Sequence, residues 1–183
     1  MTENMLFLDH VATPIGEILL VADGDGVLRA LEFADKPERW RRDFARRFAD
    51  RAMRETANPA GLSAQLDSYF NGDIAALDAI AVAPHGTEFQ RACWTNLRKI
   101  APGTTTSYGA LAAKMGKPSA TRAVGLANGA NPVAIVVPCH RVLGSDGSLT
   151  GYGGGLERKR WLIAHERRYA AAVRNSSHRH ETV

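Results

Sequence analysis

The sequence contains little cysteine, and the few cysteines it has are not paired. Only two occur in 183 residues, Cys93 and Cys139, and neither belongs to a CxxC motif. A structural zinc site usually takes four Cys or His ligands in paired spacings, and no such set is present. The sequence therefore predicts no bound metal, and two cysteines do not form the disulfide framework of a small secreted protein.

Long apolar runs are also missing. No segment approaches the roughly 18 to 20 apolar residues of a membrane helix. The opening residues, MTENMLFLDH, carry acidic side chains where a signal peptide has a basic stretch and then a long apolar one. We therefore expect a soluble, cytoplasmic protein with no membrane partner. Thiols stay reduced in that compartment, so a Cys93–Cys139 disulfide is not expected.

Positive charge is scarce in the first half of the chain and abundant in the second. Residues 1–86 hold 9 lysines and arginines against 14 acidic residues, whereas residues 87–183 hold 14 against 5. The two net charges, −5 and +9, give the overall +4. This asymmetry indicates that the second half contacts a polyanion, although an ordinary solvated surface gives the same counts.

The first half is predicted to combine strands and helices. Apolar runs at residues 7–12, 17–22 and 27–33 are separated by turn sequences and predict a three-stranded antiparallel sheet. Aromatic residues spaced by four predict an amphipathic helix over residues 37–54. A second helix is predicted at Leu62–Phe70, where an Asn-Gly pair ends it.

The domain boundary is predicted at a proline and a glycine. A short strand at residues 79–83 precedes Pro84-His85-Gly86, which is typical of a linker. The hydrophobic fraction of 45% is ample for two small cores. We therefore place one domain at residues 1–83 and a second at 87–169, and we expect residues 170–183 to form a flexible tail.

The second half is predicted to be mostly helical. Thr87 caps a helix over residues 88–100, whose apolar stripe includes Cys93, and we interpret that cysteine as a small buried hydrophobe. Two short helices at residues 108–115 and 120–128 are joined by Gly-Lys-Pro, a helix-turn-helix pattern. Any helical hairpin also produces this pattern.

The second helix of this pair has an unusually bare surface. Its side chains are small, and Arg122 is its only cation. A helix that reads the major groove normally carries several long polar side chains. Small residues permit close approach to something narrow, such as another helix or the DNA minor groove. A lone arginine there can read a base, hold a phosphate or fill a gap.

Cys139 lies in the sequence VPCHR, after an apolar run at residues 133–137 that predicts a short buried strand ended by Pro138. A thiol needs a base or a positive field to form a thiolate, and His140 and Arg141 follow directly. Because neighbours on a strand point apart, His140 is expected to reach the thiol only through a kink or a water.

A histidine that acts as a base needs a partner to hold its tautomer. The downstream carboxylates are Asp146, Glu157 and Glu166, and Glu166 follows an apolar helical segment at residues 161–164 that favours its burial. A Cys/His pair is also compatible with a cysteine hydrolase, but the local signatures of cysteine proteases are absent.

A set of ordered motifs goes beyond the Cys/His pair. FQRACW, TSYGALA, SATRAVGLANGANP, IVVPCHRVLG, LTGYGGGLERKRWL and HE follow one another over residues 87–168 without a large gap. This region resembles the O6-alkylguanine-DNA alkyltransferases, also called methylated-DNA–protein-cysteine methyltransferases. The whole chain is similar to the short, constitutive bacterial type, in which no regulatory domain precedes the first domain.

The resemblance implies a fold and an activity. The fold is α/β (α+β): an RNase H-like first domain with a small antiparallel sheet, then a mostly helical, winged-helix-like domain with a helix-turn-helix. The activity is DNA repair by direct damage reversal. A monomer flips the damaged base from double-stranded DNA and transfers the alkyl group of O6-alkylguanine, or of O4-alkylthymine, irreversibly to Cys139. No cofactor or metal is implied.

The resemblance also implies roles for single residues. Cys139 attacks the alkyl carbon, and His140 takes the thiol proton through a water. Glu166 orients His140, and Asn131 braces the turn before the active-site segment. These four residues form the expected catalytic group.

Base and DNA contacts are implied in the same way. Tyr108 donates to N3 of the departing guanine, and the carbonyls of Cys139 and Val142 accept its amino group. Tyr152, Gly153 and Gly154 line the base pocket, with backbone N–H groups directed at O6. The family often has serine where this chain has Gly153, so a hydroxyl contact to O6 is missing, but a backbone donor remains. Arg122 replaces the flipped nucleotide, and the minor groove receives Ser119, Ala120, Thr121, Ala123 and Gly125.

One alternative within the resemblance is a binding module without catalysis. Alkyltransferase-like proteins bind the lesion but carry another residue, often tryptophan, at the cysteine position. Cys139 argues against that alternative. The cysteine hydrolase remains a third possibility, and it would require an oxyanion hole and turnover.

Overall fold

A computed structural model describes residues 5–178, and within them the side chains other than those of residue 39 and residues 173–178. The elements are β1 (Met5–Val11), β2 (Ile18–Asp23), β3 (Leu28–Phe33), α1 (Pro37–Phe48), β4 (Ala52–Glu55), a 3-10 turn (Pro59–Gly61), α2 (Leu62–Phe70), α3 (Glu88–Leu97), β5 (Thr106–Ser107), α4 (Tyr108–Lys114), a 3-10 turn (Pro118–Ala120), α5 (Thr121–Gly129), a 3-10 turn (Cys139–Arg141), β6 (Val142–Leu143) and α6 (Leu156–His178).

The first sheet is buried on both faces because its strands alternate two apolar sets. In β2, Leu19 and Val21 belong to a small core that α1 covers through Phe48. Leu20 and Ala22 face the opposite way and join the large core shared with the second half of the chain. The predicted strands β1 to β3 are therefore confirmed, and they pair antiparallel.

The sheet has a fourth strand that the sequence did not predict. The strand order is β3-β2-β1-β4, and β4 pairs parallel to β1. The helix predicted over residues 37–54 is present but ends earlier, at Phe48, the last of the aromatic residues spaced by four. β4 adds a parallel strand to the edge of the predicted antiparallel meander. All four β4 residues are exposed, so they carry no alternating apolar pattern.

The outer edge of β3 connects the sheet to the second half of the chain. Leu28 forms a parallel bridge with Val82, and Leu31 forms one with Val133. The N–H of Leu31 donates to the Pro132 carbonyl at 2.9 Å. The predicted strand at residues 79–83 is thus a single bridge. The edge of β3 thereby fixes the start of the segment that leads to Cys139.

The segment over residues 133–137 is buried but is not the predicted strand. After the bridge at Val133 the chain turns: the Val137 N–H donates to the Val133 carbonyl at 2.9 Å, and Ile135 has a positive φ of 70°. The side chain of Asn131 fixes this turn, since its Oδ1 accepts from the Val133 N–H at 3.0 Å. A wholly apolar run signals burial but not conformation.

The second half is helical, as predicted. A capping box between Thr87 and Gln90 begins α3, and the Ser107 hydroxyl accepts from the Ala110 N–H at the start of α4. Both short helices of the predicted helix-turn-helix are present as α4 and α5, which pack on each other. The second begins at Thr121, after a 3-10 turn, one residue later than expected.

The last helix, α6, connects the two halves again. Arg158 forms an ion pair with Asp35 at 3.0 Å and donates to the Ile15 carbonyl at 2.7 Å. The helix continues through His178, so residues 170–178 are helical where a flexible tail was predicted; residues 179–183 lie outside the described part. No helix within residues 5–178 is long and apolar enough to cross a membrane.

Candidate active site

Cys139 lies in a short 3-10 turn directly after the buried apolar segment, and the residue is 6% exposed. Asn131 contacts it from the preceding turn, with Nδ2 at 3.2 Å from Sγ. The same nitrogen donates to the Val137 carbonyl at 2.8 Å. Asn131 therefore contacts both the turn and the thiol. An amide N–H directed at sulfur also favours the thiolate over the thiol.

On a strand, His140 would point away from its neighbour Cys139. The 3-10 turn that is present instead directs His140 into the protein. His140 is fully buried, and its Nε2 lies 2.8 Å from Oε1 of Glu166, which is 1% exposed. A carboxylate only accepts, so Nε2 carries the proton and Nδ1 keeps a lone pair. Nδ1 is buried without a hydrogen-bond partner among the described residues.

Besides the hydrogen bond from His140, Glu166 accepts four more, from three residues, and both carboxylate oxygens are used. Arg141 donates Nε to Oε2 at 2.9 Å and Nη2 to Oε1 at 2.8 Å. The Tyr69 hydroxyl donates to Oε1 at 2.9 Å, and the Gly103 N–H donates to Oε2 at 3.1 Å. A buried charge needs such partners to remain ionised.

The pKa values of this pair follow from burial and charge. Burial alone would raise the pKa of the Glu166 carboxyl, but the contacts with His140 and Arg141 hold it far below its ordinary value. Burial lowers the pKa of His140, and the attraction of Glu166 only partly opposes this. His140 is consequently neutral at physiological pH, which is the form that can accept a proton.

A glycine allows the loop after α3 to reach Glu166. Gly103 has a φ of 77°, a backbone conformation that residues with a side chain rarely adopt. A Cβ at this position would lie 2.7 Å from the Cβ of Ala170. Its N–H therefore meets the carboxylate only because the residue has no side chain.

A second polar cluster contains Tyr108, one of the residues expected to bind the base. The Tyr108 hydroxyl donates to the Thr150 carbonyl at 3.2 Å, and Nζ of Lys159 donates to the same carbonyl at 2.6 Å. Lys159 is fully buried, and burial lowers its pKa while the charge of Cys139 opposes the lowering. The ammonium group is therefore within electrostatic range of the thiol and stabilises its anion.

The remaining predicted base-pocket residues are buried or half-buried. Tyr152 is half-buried and packs edge-on against Phe33, with ring centroids 6.4 Å apart. Gly153 and Gly154 follow it and are also half-buried, whereas Val142 is fully buried. A separate cavity of about 920 Å³ between the linker and α3 has a lining that includes none of these residues and not Cys139.

Comparison with known proteins agrees with this arrangement. A family model for 6-O-methylguanine DNA methyltransferase, ribonuclease-like domain, matches residues 8–84, and one for the DNA binding domain of the same protein matches residues 88–168. The methylated-DNA–protein-cysteine methyltransferase of Salmonella typhimurium is 45% identical over 163 residues, which cover 88% of this chain and 95% of that protein.

This chain belongs to the 6-O-methylguanine DNA methyltransferase family. A relative with the same protein name in Mycolicibacterium paratuberculosis is 47% identical over 165 residues, or 88% of this chain and 93% of that protein. The O6-methylguanine methyltransferase of Mycobacterium tuberculosis has a TM-score of 0.73 at 39% identity, over 90% of this chain and 94% of that one. The M. tuberculosis protein OGT, solved in complex with DNA, has a TM-score of 0.73 at 38% identity, over 89% of this chain and 94% of that one. The predicted family and fold class are confirmed.

In this methyltransferase family member, α5 has a buried face and an exposed face. Val124 and Ala127 are buried, whereas Arg122 is exposed. Leu126, one turn after Arg122, is 72% exposed, and the sequence analysis did not single it out. The residues predicted to contact DNA are exposed or half-buried on or just before this helix: Ser119, Ala120, Thr121, Arg122, Ala123 and Gly125.

Sequence reasoning missed three groups at the methyltransferase site: Tyr69, Gly103 and Lys159. Lys159 and Glu166 are seven residues apart on α6 and flank the buried Leu162 on one helix face. That spacing is the signal that could have identified Lys159. Tyr69 and Gly103 carry no comparable signal, because they reach the site from other elements.

Acid is expected to destabilise this methyltransferase fold through His140 and Glu166. Both folded-state pKa values lie below the ordinary values of 6.5 and 4.5, so the unfolded chain binds protons more readily. Their contribution to the free energy of unfolding is complete above pH 6.5. It is lost as the pH falls, first through His140 and then, below 4.5, through Glu166.

Urea unfolding at about pH 8, 6 and 5 measures this loss. The His140→Gln variant is the matched control, since it keeps a hydrogen-bonding side chain but cannot titrate. Its free energy of unfolding should change less between pH 8 and 5 than that of the wild type. Equal pH dependence in the two proteins would contradict the account of His140.

Proposed function

We propose that this protein repairs DNA by transferring the alkyl group of O6-alkylguanine to Cys139 in one irreversible reaction. The observation that carries the proposal is the buried hydrogen bond between His140 and Glu166, placed directly after a thiol. This pair leaves a neutral imidazole with a free lone pair in the interior. The names of the relatives, methylated-DNA–protein-cysteine methyltransferases, support the same reaction.

The proposed reaction balances without a cofactor. His140 takes the Sγ proton of Cys139 at Nδ1, through a water, and the resulting thiolate attacks the alkyl carbon in line with the bond to O6. The S–C bond forms as the C–O6 bond breaks, and the electron pair of that bond leaves with guanine. The guanine anion then takes a proton from water at N1, and His140 returns its proton to solvent. Tyr108 donates to N3 of the leaving base, and backbone N–H groups of Gly153 and Gly154 donate to O6. The thioether product is stable, so each protein molecule reacts once.

Thiolate formation supplies only part of the acceleration. An ordinary cysteine, with a pKa of about 8.5, is already about 3% ionised at pH 7. Complete ionisation therefore adds at most about thirtyfold in rate, or about 2 kcal/mol. The larger share comes from holding the alkyl carbon in line with Sγ and from stabilising the departing guanine.

DNA recognition is proposed to use the exposed face of α5 in the minor groove. The small side chains of this helix allow close approach, and the surplus of positive charge in residues 87–183 attracts the phosphates. The damaged base must leave the stack to reach Cys139, a residue that is only 6% exposed, and leaving the stack costs a few kcal/mol. Arg122 is proposed to occupy the vacated position. The same pocket is proposed to accept O4-alkylthymine.

Transfer is expected to be stoichiometric and confined to Cys139. Cys93 is fully buried, and burial together with the charge of Cys139 raises its pKa to about 11, so it forms little thiolate. Duplex DNA with a radiolabelled methyl on guanine O6 should pass one label to each protein molecule. Peptide mass mapping should place that methyl on the Cys139 peptide. Label released as methanol or turned over repeatedly would indicate a hydrolase, and label retained on DNA would indicate a binding module.

Glu166→Gln should slow transfer by about two orders of magnitude or more, because a neutral amide no longer holds the His140 tautomer or stabilises its protonated form. Single-turnover rates on methylated duplex DNA measure the effect. Glu157→Gln is the matched control, since Glu157 lies on the same helix but its side chain is 90% exposed. Equal rates in the two folded variants would rule out the proposed role of Glu166.

Arg122→Ala should slow repair of duplex DNA, and the rise in the activation free energy should be comparable to the few kcal/mol that base flipping costs. Its reaction with free O6-alkylguanine base should hardly change, because nothing needs to leave a stack. Rates are compared on both substrates at saturating protein and several salt concentrations. Lys117→Ala, which removes an exposed cation just before α5, is the control for simple phosphate contact.

Two results would contradict the role of Arg122. Equal slowing on duplex and free base would mean that Arg122 supports the reacting groups themselves. Slowing on duplex that disappears at saturation, with a salt slope smaller by about one, would mean that it contacts a phosphate.

A further inference from the structure

The hydroxyl of Tyr69 reaches the catalytic carboxylate from the first half of the chain. Tyr69 lies in α2 and is fully buried, and its hydroxyl donates to Oε1 of Glu166 at 2.9 Å. The same oxygen accepts from Nε2 of His140 at 2.8 Å. Tyr69 and His140 are far apart in the sequence, but both donate a hydrogen bond to this one carboxylate oxygen and share its negative charge.

Tyr69 is held from two sides, so its hydroxyl position is set by the packing of α2 on α6. Nε2 of His165 lies 2.8 Å from the Tyr69 carbonyl, and the two rings lie 5.2 Å apart. Just after α2, a Cβ on Gly72 would overlap the ring of Tyr169, which shows how closely the two helices approach. Consecutive residues of α6, His165 and Glu166, thus bind the backbone and the side chain of one tyrosine.

The hydroxyl remains a donor over the whole working range of pH. Burial, and then the charge of Glu166, raises the pKa of Tyr69 well above its ordinary value of 10.0. The other groups that face the carboxylate are the Arg141 guanidinium, the Gly103 N–H and the His140 ring, and Lys159 adds positive charge near His140. Only His140 among them has an ordinary pKa near neutrality, and burial lowers that pKa.

We propose that Tyr69 is a positioning residue for the alkyl transfer: its hydroxyl fixes the Glu166 carboxylate and limits how strongly that carboxylate draws a proton onto His140. This inference rests on the proposed function, because it assigns Tyr69 to the same reaction. It makes the first half of the chain part of the catalytic apparatus, in addition to its part in the core.

The sign of the effect follows from the shared oxygen. Without the hydroxyl, Oε1 is neutralised only by Arg141 and His140, and the positive imidazolium form of His140 gains stability. His140 then binds a proton at a higher pH, and its lone pair is lost as a base over more of the acidic range. A tyrosine that serves packing alone would alter stability or overall rate without moving this pH dependence.

The test compares the pH dependence of single-turnover transfer from methylated duplex DNA in the wild type and in Tyr69→Phe, which lacks only the hydroxyl. The ratio of variant to wild-type rates should fall about threefold or more as the pH is lowered from 8.5 to 5, because His140 of the variant binds its proton at a higher pH. Phe70→Leu is the matched control. Phe70 lies next to Tyr69 in α2 and packs on Trp161 and His165 of α6. Its truncation should therefore lower stability but keep the wild-type pH profile.

A second variant gives the opposite sign. Incorporation of 3-fluorotyrosine at position 69 makes the phenol a stronger donor, and the acidic limb should then move to lower pH. Superimposable pH profiles for wild type, Tyr69→Phe and the fluorinated protein would overturn the inference. Failure of the wild type to transfer any methyl group would instead overturn the proposed function, so the two failures are distinguishable.

Discussion

The arrangement of the site depends on one buried carboxylate, that of Glu166. Moving a carboxylate out of water costs several kcal/mol even after the protein relaxes, and the cost is offset only when both oxygens are fully hydrogen-bonded. Arg141 supplies a bidentate pair, and Tyr69, Gly103 and His140 supply the other donors. Each of these donors must then be delivered to one point, which constrains α2, the loop after α3, the 3-10 turn and α6 together.

This constraint explains why the first half of the chain is integral to the site. The edge of β3 bridges to Val133 and so fixes where the buried segment begins, while Asn131 turns that segment toward Cys139. Arg158 holds the start of α6 against the sheet through Asp35. The charges of the site are therefore positioned by the shared core and by contacts between the two halves.

The predictable parts of the structure are those with a local signal. The alternation in residues 17–22 predicts β2, and the caps at Thr87 and Ser107 predict the starts of α3 and α4. The sequence of β4 carries no alternating apolar pattern, since its four residues are exposed. They form a strand because they pair with the edge of β1. Cys139 and Glu166 were singled out by chemistry and by the resemblance. Tyr69, 97 positions from Glu166, could not be, because α2 and α6 meet only in the folded chain.

The most direct test of the account is the protonation state of His140. Side-chain ¹⁵N NMR of the protein, with the His140 signal assigned by comparison with His140→Gln, distinguishes the two neutral tautomers from the imidazolium. The account predicts the neutral form at pH 7, with the proton on Nε2 toward Glu166 and an unprotonated Nδ1. A proton on Nδ1, in either the other tautomer or the imidazolium at pH 7, would contradict it.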